Sequence, residues 1–288
     1  MQGDGPLKKA LVSGGNVKIY LVPNILTACN LFCGFVALTK IVEARIGPDM
    51  PPEMVAMGYY EIKVALAFIL LACIFDILDG RVARMVGTDS AFGRELDSLA
   101  DLISFGVAPA FLVHRVVLKD VFMQHPEIGW FIASIYLLCG AFRLARFNCL
   151  AAMGDPRGAK DFIGFPIPAA AGLIASLTLL LIWWDEREFV MGKWRYILPV
   201  LLIFLSVMMV SNVHYPSFKS LDLKATSTFT KLLIVALFVG AVLIIQKKLL
   251  VFVLPLIFTA YLLYGFVRPY LSKQLRREIE EEDEADQD

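Results

Sequence analysis

Charged residues are scarce in this 288-residue chain: Asp, Glu, Lys and Arg together make up 19%, where a soluble domain carries about a quarter. The charge that is present lies in clusters separated by long apolar runs, and 58% of the residues are apolar. That distribution excludes an ordinary soluble core and points to a chain that crosses a membrane repeatedly. Histidine is rarer still. His114, His125 and His214 stand far apart, and none pairs with a cysteine or a second histidine at metal spacing. Five cysteines, Cys29, Cys33, Cys73, Cys139 and Cys149, form no CxxC pair and sit mostly in apolar runs. They read as small packing residues and not as a zinc site. No basic stripe with interleaved aromatics occurs, so no nucleic-acid partner is expected. No internal repeat is visible. The first twenty residues hold Lys8, Lys9 and Lys18 without an apolar stretch, and no cleavable signal peptide is expected.

A membrane helix needs about 20 mostly apolar residues. Stretches of that kind lie near 21–44, 62–80, 98–118, 128–147, 164–184, 196–213, 229–246 and 250–267. The expected fold is therefore an all-α integral membrane protein, a bundle of about eight transmembrane helices. Residues 1–20 form a juxtamembrane segment, 21–213 a membrane core, 214–271 two further helices, and 272–288 a loose acidic tail. With the N-terminus cytoplasmic, about 17 of the 27 Lys and Arg fall on the cytoplasmic side. That bias places both termini in the cytoplasm of a cell bounded by this membrane.

The spans are not uniformly apolar. Asp76, Asp79, Asp97 and Asp101 sit near the cytoplasmic ends of the second and third. A charged side chain at mid-bilayer costs on the order of 2–3 kcal/mol, and such residues mark functional sites. The segment from Asp76 to Asp101 reads DILDGRVARMVGTDSAFGRELDSLAD. Asp76 and Asp79 are three apart and share a helix face, which Ala83 continues; Asp97 and Asp101 are four apart and share a face of the next helix. A short connection brings the two helices together antiparallel, so four carboxylates converge at one membrane surface. Converging carboxylates repel and call for cations. Hard divalent ions with oxygen ligands, Mg²⁺ or Mn²⁺, suit them, and a pair of such ions makes a clamp for phosphoryl chemistry. Gly80, Ala83 and Gly93 are small enough for a nucleotide to approach the backbone, and Arg84 offers a planar cation for phosphate.

The pattern D-x-x-D-G-x-x-A-R, eight residues, G-x-x-x-D-x-x-x-D resembles the signature of the CDP-alcohol phosphatidyltransferases, with every fixed position present. The resemblance implies two metal ions held by Asp76, Asp79 and Asp97, with Asp101 both a ligand and the catalytic general base. It implies CDP-lipid contacts from Gly80, Ala83, Arg84, Ser90 and Gly93, and a homodimer. Asn24 and Thr27, one turn apart after Pro23, fit two readings: contacts to the CDP moiety, which the resemblance implies, or capping of the first helix.

Three further segments bear on the acceptor alcohol: PNILT from Pro23, SFGVAPA from Ser104, and RLARFN from Arg143, followed by GFPIPAAAG from Gly164. Together they look like the membrane-embedded enzymes of this family that act on serine, in which two C-terminal helices follow a six-helix core. The resemblance thus implies CDP-diacylglycerol and L-serine as substrates. Arg143 and Arg146 share a face on the aspartates' side of the membrane. They fit either a clamp on the serine carboxylate or anchors at the lipid headgroups. Glycerol 3-phosphate or inositol phosphate would also want arginines, so charge alone leaves those acceptors open. Intramembrane carboxylates also mark cation transporters. The absence of repeat symmetry and of paired broken helices in the sequence argues against that class.

Overall fold

The computed structural model describes residues 21–47, 50–86, 91–152, 161–187, 196–216 and 247–267. Helix α1 (Leu21–Glu43) and helix α2 (Pro52–Val86) form the first hairpin. Pro52 stands at the first position of α2 and Glu53 in its first turn, both favourable at a helix N-terminus. At 35 residues α2 is roughly 50 Å long, so it continues well past its apolar stretch. The third rod is α3 (Ala91–Asp101), a π-helical turn over Leu102–Val107, α4 (Ala108–Val113), a second π turn over His114–Leu118, and α5 (Lys119–Val121). Then come α6 (Pro126–Ala152), α7 (Ile167–Asp185), α8 (Ile197–Val210) and α9 (Lys247–Val267).

Among the described residues, four stretches are long and apolar enough to cross a membrane: Asn24–Glu43, Phe92–Val121, Pro126–Ala152 and Ile167–Asp185. α8 and Val251–Gly265 within α9 are apolar but shorter. The apolar run of α2 is interrupted by Lys63, Asp76 and Asp79. The expected span at 229–246, the segment 1–20 and the tail 272–288 lie outside the described residues.

The packing follows helical spacing. Cys33, Ala37 and Ile41 of α1 are buried, as are Ile62, Ala65, Leu66 and Ile69 of α2. Residues three and four apart lie on one face, so small and branched side chains interlock along the hairpin. α7 is the central rod, buried almost without a break from Ala170 to Ser176. Phe32, Phe35, Leu138, Phe142, Val200 and Val207 are instead exposed. In a chain this apolar, an outward belt of that kind is the surface that meets lipid.

Pro166 caps α7 in an extended conformation and Pro168 lies in its first turn, the position where a missing N–H costs nothing. Gly164 has φ +81°, a conformation that side chains with a Cβ rarely adopt, and its N–H donates to Val213 O at 2.8 Å. This tight link sits in a small element that the helical periodicity does not foretell. Strands β1 (Asp161–Ile163) and β2 (His214–Pro216) pair antiparallel, Phe162 opposite Tyr215. The ladder ties the start of α7 to the end of α8. Trp183 near the end of α7 meets Phe252 near the start of α9, with ring centroids 5.0 Å apart. α9 therefore runs antiparallel to α7, and Lys247 lies at the end of the bundle opposite β2.

Candidate active site

The site forms where the C-terminal part of α2, the start of the third rod and the C-terminal part of α6 meet the N-terminal part of α1. Asp76, Asp97 and Asp101 each bring one carboxylate oxygen to within 4.8 Å of the others. Asp101 is buried, and Asp76 and Asp97 are half-buried. One oxygen of Asp97, Oδ1, is buried and accepts no hydrogen bond. Like charges at such separations repel strongly away from water, and an orphaned buried acceptor is costly. A hard divalent cation would relieve both, and three carboxylates are the oxygen donors that Mg²⁺ or Mn²⁺ prefers. The residues present therefore fit the metal that their pattern suggests.

Asp79 is placed differently. It is 5% exposed, and its Oδ2 accepts a hydrogen bond from the Thr27 hydroxyl at 2.9 Å. Its charge still acts on Asp76 and Asp101. Four convergent carboxylates are thus resolved into three that close on one point and a fourth directed to α1. Through this bond the Thr27 hydroxyl reaches across from α1 to α2. Asn24, one turn earlier, holds a buried Nδ2 donor with no hydrogen-bond partner, a group ready for a polar ligand.

Asn30 is the residue that motif reading passes over. It is fully buried, and its Nδ2 donates to Asp101 Oδ1 at 3.1 Å. Its carbonyl accepts the Ser104 hydroxyl at 2.9 Å. The available signal was its position, one turn beyond Thr27 on the same face of an apolar run, since a buried amide must be hydrogen-bonded. Close approach of α1 to the first π turn makes these bonds feasible. A Cβ on Gly34 would come within 2.7 Å of the Ser104 Cα. The π turn begins directly after Asp101 and leads to Pro109, which has no N–H to offer the Phe105 carbonyl four residues back. The buried Tyr136 hydroxyl of α6 donates to that carbonyl instead, at 3.0 Å. Register shifts of this kind occur often beside functional groups.

The two arginines of α6 part company. Arg143 is 7% exposed, and the groups acting on its guanidinium include Asp101, Tyr261, Arg146 and Asp76. Arg146 turns to the end of α8, donating to Val210 O and Ser211 O, both at 3.1 Å. Those carbonyls are left over at a helix C-terminus, where a cation is favourable. Asn148, in the same segment, donates to Ser98 Oγ at 2.9 Å and so fixes α6 against α3 between the two aspartates. Of the remaining expected contacts, Gly80 and Gly93 line the same end of α2 and α3 and are half-buried. Ala83 and Arg84 continue α2 beyond Gly80, and Ser90 lies outside the described residues.

The chain resembles known proteins over most of its length. The family model for CDP-alcohol phosphatidyltransferase matches residues 20–211. A CDP-diacylglycerol–serine O-phosphatidyltransferase of Helicobacter pylori is 34% identical over 251 residues, covering 87% of this chain and 91% of that protein. The enzyme of the same name from Bacillus subtilis is 32% identical over 202 residues, 69% of this chain and 91% of that one. An archaetidylserine synthase of Methanothermobacter thermautotrophicus is 32% identical over 197 residues, covering 68% and 69% of the two chains.

Proposed function

Since this chain belongs to the CDP-alcohol phosphatidyltransferase family, we propose that it transfers the phosphatidyl group of CDP-diacylglycerol to the hydroxyl of L-serine, yielding phosphatidylserine and CMP. The observation that carries this reading is the convergence of Asp76, Asp97 and Asp101 in a bundle end that also buries Arg143. It combines a phosphoryl-transfer centre with a group for an acceptor carboxylate. The relatives act on serine by name.

Asp76, Asp97 and Asp101, with Asp79 beside them, would hold two divalent cations, Mg²⁺ or Mn²⁺. Those ions would supply the positive charge that polarises the phosphoryl oxygens. The remaining work falls to the chain. Asn24, Thr27, Gly80, Ala83, Arg84, Ser90 and Gly93 take the CDP part of the lipid. Arg143 binds the serine carboxylate in its planar fork and so points the hydroxyl at the phosphorus. Asp101 accepts the hydroxyl proton on Oδ2, because Asn30 holds Oδ1. The new bond joins serine Oγ to the lipid-side phosphorus. The bond from that phosphorus to the bridging oxygen breaks, and CMP departs with the electron pair. Arg146, engaged by α8, fixes the bundle end on which Arg143 depends. The positive-inside bias supports a site and both termini at the cytoplasmic face of the cell membrane. The family resemblance implies a homodimer.

The test is CMP release by detergent-purified protein given CDP-diacylglycerol and Mg²⁺ or Mn²⁺. Serine, glycerol 3-phosphate, inositol 1-phosphate and no acceptor are compared. Release that depends on serine is the expected result. Release only with a phosphate-bearing alcohol would keep the chemistry and overturn the acceptor.

A further inference from the structure

We propose that Tyr136 is a positioning residue for Asp101: from α6 it holds the π turn that follows Asp101, and so fixes the direction in which that carboxylate meets the acceptor hydroxyl. This rests on the reading of Asp101 as the general base. It also gives a task to the SFGVAPA segment, Ser104 to Ala110, which the reaction itself does not use.

The segment is an irregular piece of helix. Leu102–Val107 is a π turn, and the N–H of Ala108 donates to Ile103 O, five residues back. Such a turn holds one residue more than the α-helix around it, so it resets the faces of everything that follows. Pro109 lies in the first turn of α4 and offers no N–H. Ser104, Phe105 and Gly106 are buried, and their polar groups need partners. Ser104 donates its hydroxyl to Asn30 O at 2.9 Å, and Asn30 Nδ2 donates to Asp101 Oδ1 at 3.1 Å. Asp101 and Ser104 thus grip one residue of α1 from two points. That closed ring depends on the register of the turn between them.

Tyr136 holds the turn from a second helix. It is fully buried, and its hydroxyl donates to Phe105 O at 3.0 Å. The packing there is tight: a Cβ on Gly106 would come within 3.2 Å of Cδ1 of Leu137, the neighbour of Tyr136. The carbonyl held by α6 and the hydroxyl held by α1 belong to adjacent residues, Phe105 and Ser104. Without the phenol, that buried carbonyl loses a donor that Pro109 cannot replace, and the turn relaxes toward α-helical register. Ser104 would then rotate off Asn30, and Asn30 would lose its hold on Asp101. Tyr136 and Arg143 are both buried and stand two turns apart on one face of α6. One helix face therefore steadies the base through the π turn and presents the arginine assigned to the acceptor.

Tyr136→Phe keeps the ring and removes only the hydroxyl. In full-length protein in detergent with saturating Mg²⁺, kcat for CMP release should fall about tenfold, with the KM for serine and for CDP-diacylglycerol each within about twofold of wild type. If another alcohol proves to be the acceptor, its KM takes the place of serine's. Backbone amides of residues 102–110 should exchange with deuterated water faster than in the wild type. Adding Pro109→Ala returns an N–H to the Phe105 carbonyl, so the double variant should recover kcat to within about threefold of wild type and regain slow exchange. A loss of packing spread over the bundle would not be mended at that position. Near-normal kcat in Tyr136→Phe overturns the proposal, as do unchanged exchange, a rise in either KM that accounts for the loss, or a double variant that stays slow. If the wild type releases no CMP with any alcohol, the reading of Asp101 as a base fails on its own. Faster exchange in Tyr136→Phe that Pro109→Ala reverses then still upholds the hold on the turn, and unchanged exchange refutes it.

Discussion

Asp101 draws its usefulness from being only half engaged. Asn30 occupies Oδ1, and in the proposed reaction Oδ2 would take the substrate proton. Replacing Asp101 with Asn removes the base while keeping shape and burial. CMP release should fall by at least about a hundredfold, the usual scale of general-base loss. The protein should still unfold cooperatively at the wild-type temperature, and near-normal turnover would show that the proton goes elsewhere. Asn30→Ala leaves the carboxylate unsupported at a fully buried position. The loss is about 1–3 kcal/mol, so kcat should drop about tenfold or more with little change in either KM. A change confined to the KM for CDP-diacylglycerol would instead make Asn30 a lipid contact.

At the scale of elements, the site depends on how close α1 comes to the first π turn. Gly34 touches no candidate substrate group, yet a methyl there would meet Ser104. Gly34→Ala should push the two apart and weaken both the Ser104–Asn30 and Asn30–Asp101 bonds. Its kinetic signature should therefore copy that of Asn30→Ala, with lowered kcat and little altered KM, and normal kcat would refute the link. The Gly164 connection behaves differently. A Cβ there meets both strained backbone and the Met209 carbonyl, so Gly164→Ala should destabilise the bundle by about 1–3 kcal/mol. A lowered unfolding midpoint is the reading that checks it.

At the scale of the whole molecule, the aspartates, Arg143 and the exposed Cys149 gather at one end of the bundle. The opposite end carries a separate polar set: Lys63 with Glu186 at 2.5 Å, Lys40 with Glu61 at 3.0 Å, and Tyr59 with Asp185. With Cys149 as the sole cysteine, a membrane-impermeant maleimide should label inverted vesicles and spare right-side-out ones. The reverse pattern would put the site on the other face. Excess chelator should stop CMP release by the purified protein, and added Mg²⁺ or Mn²⁺ should restore it. Continued release in chelator would count against cations at the carboxylates.

The sequence by itself determined the helical membrane class and the shared faces of the paired aspartates. Both are local properties: apolar length sets a span, and residues three or four apart must share a face. It also marked Asn24, Thr27 and Arg143 as polar groups in apolar surroundings. Only the tertiary structure decided how those groups are shared out. It directed Asp79 to Thr27 and left three carboxylates convergent, and it sent Arg146 to the end of α8 while Arg143 stayed with the aspartates. It brought in Asn30, which belongs to no local pattern. The physical reason is that spacing along a helix fixes a direction, whereas a partner is fixed by which other rod packs there and how closely. Gly34, Gly172 and Gly265 set that closeness, and a glycine in a membrane helix does not announce in sequence what will lie against it.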